Sequence, residues 1–111
     1  MQREAALFKA LSDPTRLRLA VLLAMHGETC VCDLAEALCE PDFKVSRHLG
    51  ILRSAGMVEA RREGTWMYYR LADAGSDLES RLQDCFRDCF TAHFTVREDL
   101  RRLEAAACRR E

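Results

Sequence analysis

Val58-Glu59-Ala60-Arg61-Arg62-Glu63-Gly64-Thr65-Trp66-Met67-Tyr68-Tyr69-Arg70-Leu71 is the stretch on which the fold turns. Val58 to Arg62 and Thr65 to Leu71 are two strand-like runs. Glu63-Gly64 between them is a hairpin signal, because glycine takes positive φ without steric cost. Arg61 and Arg62 lie beside the tip. At strand alternation Trp66, Met67, Tyr68 and Tyr69 read as core and sheet packing, since these strands must cover neighbouring helices, rather than as a base-stacking surface.

Immediately upstream, Asp42 is a helix-cap candidate for a helix running to about Ala55, with Gly56 as its stop. Val45, Leu49 and Leu52 fall at i, i+4 and i+7 and face a core, while Phe43, Ser46, Arg47, Gly50 and Ser54 share the opposite face. A shorter helix, Val31 to Leu38, precedes it with Leu34, Ala35 and Leu38 inward. Periodicity alone would fit a solvated amphipathic helix equally well. Two helices joined by a tight turn and followed at once by a basic hairpin instead spell a winged helix-turn-helix, the helix-turn-helix at about 31–55 and the wing at about 58–71. The expected fold is mainly α with a small β-hairpin. On this reading Ser46 and Arg47 reach base edges or phosphates, Lys44 lies on the phosphate side, His48 is structural or phosphate-contacting, and Arg61 and Arg62 touch the backbone or minor groove.

Charge distribution agrees. The chain has a formal net charge of −1, yet Pro41 to Arg70 holds six Lys or Arg (Lys44, Arg47, Arg53, Arg61, Arg62, Arg70) against three acids (Asp42, Glu59, Glu63). A basic patch on an otherwise acidic small protein suits a double-stranded DNA reader with one steering face.

Towards the N-terminus, Gln2 to Leu11 reads as a helix with Ala6, Leu7, Ala10 and Leu11 on one face. Asp13 caps a second helix and Pro14 sits at its first position, where no amide hydrogen is needed. Leu17, Ala20, Val21 and Ala24 form its stripe and Gly27 ends it. From Ser76 onward there is neither Pro nor Gly. Leu78, Leu82, Cys85, Phe86 and Cys89 make one stripe and Phe94, Leu100 and Leu103 another, with a change of phase between Thr91 and Thr95. A long terminal helix over about 76–108, kinked or divided there, is expected to dimerise together with helix 2–11. At 111 residues the whole chain, 1–111, makes one domain. The longest apolar run is too short to span a bilayer and no signal peptide opens the chain, so a cytoplasmic protein with no membrane partner is expected.

Six cysteines could form a disulfide framework, but the absence of a secretory signal and the long helical patterns favour reduced thiols. Cys30 and Cys32 flank the start of the helix-turn-helix and make a soft site for thiophilic ions. Residues i and i+2 of an α-helix point about 200° apart, so both cannot hold one ion while the whole segment stays helical, and with Cys30 at or before the cap binding both should distort or unwind the first turn. Cys39 lies about 10 Å further along the axis at ~1.5 Å per residue. Cys85 and Cys89, at i and i+4, could hold a soft ion themselves or simply pack as small hydrophobes. Cys108 reads as a free thiol, and His26, His48 and His93 form no cluster with carboxylates. The chain lacks a Cys-x-x-Cys redox motif, a phosphate-cradling glycine loop and a nucleophile–base pair, so a thiol oxidoreductase, and an enzyme generally, fits poorly.

From about Leu7 to Leu71 the chain resembles the arsenical-resistance repressors of the ArsR/SmtB family of metal-sensing winged helices. The motifs that carry the resemblance are Leu11-Ser12-Asp13-Pro14-Thr15-Arg16-Leu17, Glu28-Thr29-Cys30-Val31-Cys32-Asp33-Leu34, Ser46-Arg47-His48-Leu49, Leu52-Arg53-Ser54-Ala55-Gly56, Arg62-Glu63-Gly64-Thr65-Trp66 and Tyr68-Tyr69-Arg70-Leu71. The resemblance implies a homodimer on an imperfect inverted-repeat operator, released when a metal or metalloid binds. It implies that Cys30 and Cys32 match the arsenite ligands, with As(III) or Sb(III) as inducer. The family prototype carries a third cysteine where this chain has Ala35. Branches sensing cadmium, lead or zinc recruit other ligands, but the same cysteine pair could bind another soft metal or oxidise, so a Cd/Pb-responsive or thiol-redox repressor is the alternative. Ligation is expected to deform the start of the helix at Val31, shift the docking angle of the following helix and lower operator affinity.

Overall fold

The computed structural model describes residues 1–110, and the last residue of the expected domain, Glu111, lies outside them. The elements run α1 (Gln2–Leu11), α2 (Pro14–His26), β1 (Thr29–Cys30), α3 (Val31–Leu38), α4 (Asp42–Ser54), β2 (Val58–Glu63), β3 (Trp66–Leu71), α5 (Asp77–Asp88) and α6 (Phe94–Arg110). Helices α3 and α4 are the helix-turn-helix, β2 and β3 the wing.

Local chemistry sets these boundaries. The Asp13 carboxylate accepts the amides of Thr15 at 2.9 Å and Arg16 at 3.1 Å, and Pro14 occupies the first turn of α2. Burial pushes the Asp13 carboxyl up, but the Arg16 amide bond and the nearby His48 and Arg16 charges outweigh it, leaving its pKa below the usual value. Gly27, at φ 88, closes α2. Cys39 closes α3 in the left-handed region at φ 56, the only non-glycine positive φ among the described residues.

Three expectations need correction. Asp42 is the first helical residue of α4 rather than its cap; the cap is Pro41, with no side-chain hydrogen bond, because proline already holds the extended φ that a cap requires. The hairpin turn is Gly64-Thr65, one residue later than expected, since Glu63 pairs with Trp66 and only Gly64, at φ 63, needs the left-handed region. Trp66 ends the ladder 44% exposed, whereas Tyr69, in register with Ala60, is buried. The terminal segment is divided where the apolar phase changes, as expected, into α5 and α6 with the non-helical stretch 89–93 between them.

The sheet also has a third strand that periodicity did not reveal. β1 pairs antiparallel with β3, giving the order β1-β3-β2, with Thr29 opposite Tyr69 and Cys30 opposite Tyr68. Leu19, Leu22, Leu34, Leu49, Leu52 and Leu103 form the fully buried centre beneath this sheet. Among the described residues no helix is long and apolar enough to cross a membrane.

One polar cluster sits inside this apolar frame. Asp99 of α6 is 0% exposed and accepts two hydrogen bonds of 2.8 Å from Arg18 of α2 and one of 2.8 Å from Arg102. Arg102 also donates 2.7 Å to the carbonyl of Ala37 in α3. The cluster ties α2, α3 and α6 together. Asp99→Ala strips both arginines of their partner and should lower unfolding free energy by about 3 kcal/mol, read as a reduced urea midpoint. Asp13→Ala should cost about 1 kcal/mol near neutral pH. Because the Asp13 pKa is depressed in the folded state, the charge-dependent part of its contribution is present above the unfolded carboxylate pKa. The gap between Asp13→Ala and the parent protein should therefore narrow as pH falls through the folded Asp13 pKa, which urea titrations at several pH values would measure.

Candidate metal centre and nucleic-acid interface

Cys30 has a double role in the backbone. Its φ of −76 and ψ of 154 are extended, so it pairs with Tyr68 as the last residue of β1 and also serves as the N-cap of α3. Cys32 is the second residue of the helix. This change from strand to helix between two cysteines cancels the helical divergence of i and i+2 positions. Ligand atoms of Cys30, Cys32 and Asp33 all lie within 4.8 Å of one another. The expected unwinding of the first turn is therefore unnecessary. Two bonds of about 2.3 Å at a tetrahedral angle span about 3.8 Å, so only a small contraction separates this arrangement from a closed thiolate pair.

Cys30 is 0% exposed and Asp33 4% exposed, while Cys32 is half-buried and lies 3.9 Å from an Asp33 carboxylate oxygen. Asp33 was missed as a site residue because its only signal was adjacency to Cys32. A cleft of about 320 Å³ bordered by His26, Glu28, Thr29, Cys30, Asp33 and Tyr68 gives access from solvent. His26 Nδ1 is 3.1 Å from Thr29 Oγ1, which itself donates 2.8 Å to the Gly27 carbonyl. The donor set of two thiols and a carboxylate, largely desolvated but reachable, fits a thiophilic ion.

The other cysteines stand apart from this cluster. Cys39 is exposed at the far end of α3, and Cys108 is exposed on α6. Cys85 is half-buried on α5 and Cys89 exposed at its C-cap, linked through the hydrogen bond from the Cys89 amide to the Cys85 carbonyl at 2.8 Å. The neighbouring Cys89 thiol and burial together push the Cys85 thiol up.

On the other side of the helix-turn-helix, Val45, Leu49 and Leu52 are buried and Phe43, Ser46, Arg47 and Ser54 exposed, as their phase predicts. Ion pairing then divides the basic residues. Lys44 is 3.2 Å from Glu40, Arg70 pairs with Glu59 and Asp73, and Arg61 pairs with Glu28 and Glu63. Among the described residues Arg47, Arg53 and Arg62 have no acidic partner. Arg53 was counted in the basic window but not singled out as a contact residue. His48 points inward, 3.3 Å from an Arg16 nitrogen and 3.9 Å from the Asp13 carboxylate, a position that joins α4 to the cap of α2. Arg61, expected at the DNA backbone, is clamped: its Nε lies 3.0 and 2.9 Å from the two Glu28 oxygens and its guanidinium 4.6 Å from the Tyr68 ring centroid. That clamp holds the Glu28 carboxyl below the usual carboxylate range.

A helical frame of α1, α2, α5 and α6 carrying a helix-turn-helix, a basic wing and a soft-ligand cluster at the first of its two helices defines a winged helix-turn-helix regulator. Residues 13–60 match the family model for bacterial regulatory proteins of the arsR family. The chain is similar to the arsenic resistance transcriptional regulator ArsR2 of Pseudomonas putida, 56% identical over 64 residues that cover 58% of this chain and 56% of that one. It is similar to a CadC homologue of Staphylococcus aureus, a cadmium resistance regulatory protein, 44% identical over 69 residues that cover 62% of this chain and 57% of that one. The chain thus spans little more than half the length of these two relatives. The solution NMR structure of Mb0332 of Mycobacterium bovis is a homodimeric winged helix-turn-helix DNA-binding domain, described as a possible ArsR-family regulator. It superposes with a TM-score of 0.67 at 37% identity, covering 83% of this chain and 82% of that one. This chain belongs to the ArsR family.

Exposure makes the thiols separable in the native protein. Alkylation with iodoacetamide, followed by peptide mass spectrometry, should label Cys39, Cys89 and Cys108 first and Cys30 last.

Proposed function

We propose that this chain is a transcriptional repressor that binds an inverted-repeat operator as a homodimer and is released when As(III) or Sb(III) is held by Cys30 and Cys32. The observation that carries this reading is the convergence of two thiols within 4.8 Å on the residue that ends the wing sheet and caps the first helix of the helix-turn-helix. Thiolate ligation there acts on both DNA-contacting elements at once. A soft ion supplies strong bonds to sulfur, and Cys30 and Cys32 are the residues that would hold it. Operator and effector binding are then linked, each weakening the other by the same factor.

A second copy of the chain is the partner that best suits α1 and the terminal helices. Phe8 on α1 is 52% exposed and Phe94 on α6 is 77% exposed, apolar surface that a dimer would cover. Arg3 of α1 meets Glu79 of α5 at 2.9 Å, which ties α1 to the first of the terminal helices.

The buried Asp33 carboxylate beside both thiols supports a second reading, release by a thiophilic divalent cation such as Cd(II) or Pb(II), whose positive charge a third, anionic donor favours. Fluorescence anisotropy on a duplex selected by the protein from a random pool, titrated with arsenite, antimonite, cadmium and zinc, distinguishes the two. Release by arsenite or antimonite, lost in Cys30→Ser and in Cys32→Ser but kept in Asp33→Asn, is the expected result. Release by cadmium alone, abolished by Asp33→Asn, would transfer the sensor to divalent cations, and release surviving both cysteine substitutions would remove Cys30 and Cys32 from the site.

The same assay tests the DNA face. Arg47→Ala and Arg62→Ala should each weaken duplex binding and lower the slope of log affinity against log salt by about 1.

A further inference from the structure

Four residues form a closed circuit between the thiol cluster and the wing. Glu28 precedes Cys30 by two positions in the chain; Cys30 lies opposite Tyr68 across β1 and β3; Tyr68 lies opposite Arg61 across β3 and β2. The last link returns from Arg61 to Glu28 through three short contacts, Nε at 3.0 and 2.9 Å and a terminal guanidinium nitrogen at 2.8 Å. The guanidinium packs 4.6 Å from the Tyr68 ring centroid, and its other terminal nitrogen binds Glu63 at 2.9 Å.

A strand of two residues is a weak tether by itself. Paired planar groups fix direction as well as distance, which a single ammonium would not. Arg61 is half-exposed and Glu28 about one-third exposed, so the pair adds little to folding stability. Its effect lies in geometry. At the other end of the cluster α3 is anchored, since Arg102 holds the Ala37 carbonyl and Arg109 pairs with Glu36. Drawing the two thiols together therefore moves the strand side more readily than the helix side.

We propose that Glu28 is a positioning residue which, through Arg61 and Tyr68, locks Cys30 to the wing so that closure of the Cys30–Cys32 pair is transmitted to the DNA-contacting hairpin. This rests on the functional reading above and names the path by which that site controls DNA. It places the first response in the wing, where Arg62 projects without an acidic partner, and leaves the docking of α4 as a later consequence.

Trp66, the one tryptophan of the chain, stands at the wing end of β3 opposite Glu63, two residues from Tyr68, and reports on this segment directly. The test compares the parent protein, Glu28→Gln and the charge exchange Glu28→Arg with Arg61→Glu, each full length. Three quantities are read with arsenite as the probe: the thiols protected from a chromogenic disulfide, the Trp66 emission, and affinity for the selected duplex. In Glu28→Gln the same thiols should be protected at arsenite concentrations within about threefold of the parent, while the arsenite-induced loss of duplex affinity shrinks about tenfold or more. The Trp66 emission change should disappear with it, and the charge exchange should restore both.

Undiminished release in Glu28→Gln would overturn the proposal, as would loss of thiol protection in that variant or failure of the exchange to restore release. A parent protein whose thiols arsenite does not protect would instead overturn the functional reading, and the relay with it.

Discussion

The architecture depends on a single residue being extended and helix-initiating at once. Cys30 completes the ladder to Tyr68 and is the N-cap of α3, so the sheet and the helix-turn-helix meet at its α-carbon. An extended cap residue is the ordinary way to begin a helix. Here that backbone requirement also turns the Cys30 thiol towards Cys32, which a continuous helix could not do. Fold and candidate chemistry thus share one constraint.

A second layer of control is the assignment of acids to arginines. Nearby carboxylates remove Arg61, Arg70 and Lys44 of the wing and α4 from the pool of unpaired cations. What is left free, Arg47 and Arg62 foremost, lies on α4 and at the wing tip. Counting charges along the chain could not make this division, because the deciding partners, Glu28 for Arg61 above all, come from distant positions.

The parts of the fold legible in the sequence were those with a period. Val45, Leu49 and Leu52 gave the inner face of α4, Asp13-Pro14 the start of α2, and the hairpin run its two long strands; all are local patterns that burial then reinforces. Features without a period were hidden. β1 is two residues long and cannot show alternation; Trp66 obeys the strand pattern but sits at the ladder's open end. At the candidate site the two cysteines stood out, yet their approach depended on the strand pairing of Cys30, and Asp33 had no signal beyond its neighbour.

The buried carboxylate of Asp99 has one more consequence. Helix α6 is largely polar, and an apolar stripe by itself would tolerate some rotation of such a helix about its axis. A fully enclosed acid that must meet Arg18 from another helix does not tolerate it, because a turn of one residue would swing the carboxylate about 100° away from Arg18 and break two of its three charge-assisted hydrogen bonds. The angular setting of α6 is therefore locked, and with it the face that carries Phe94. Any molecule docking on this helix meets one invariant surface, so assembly can select for shape without first having to order the helix.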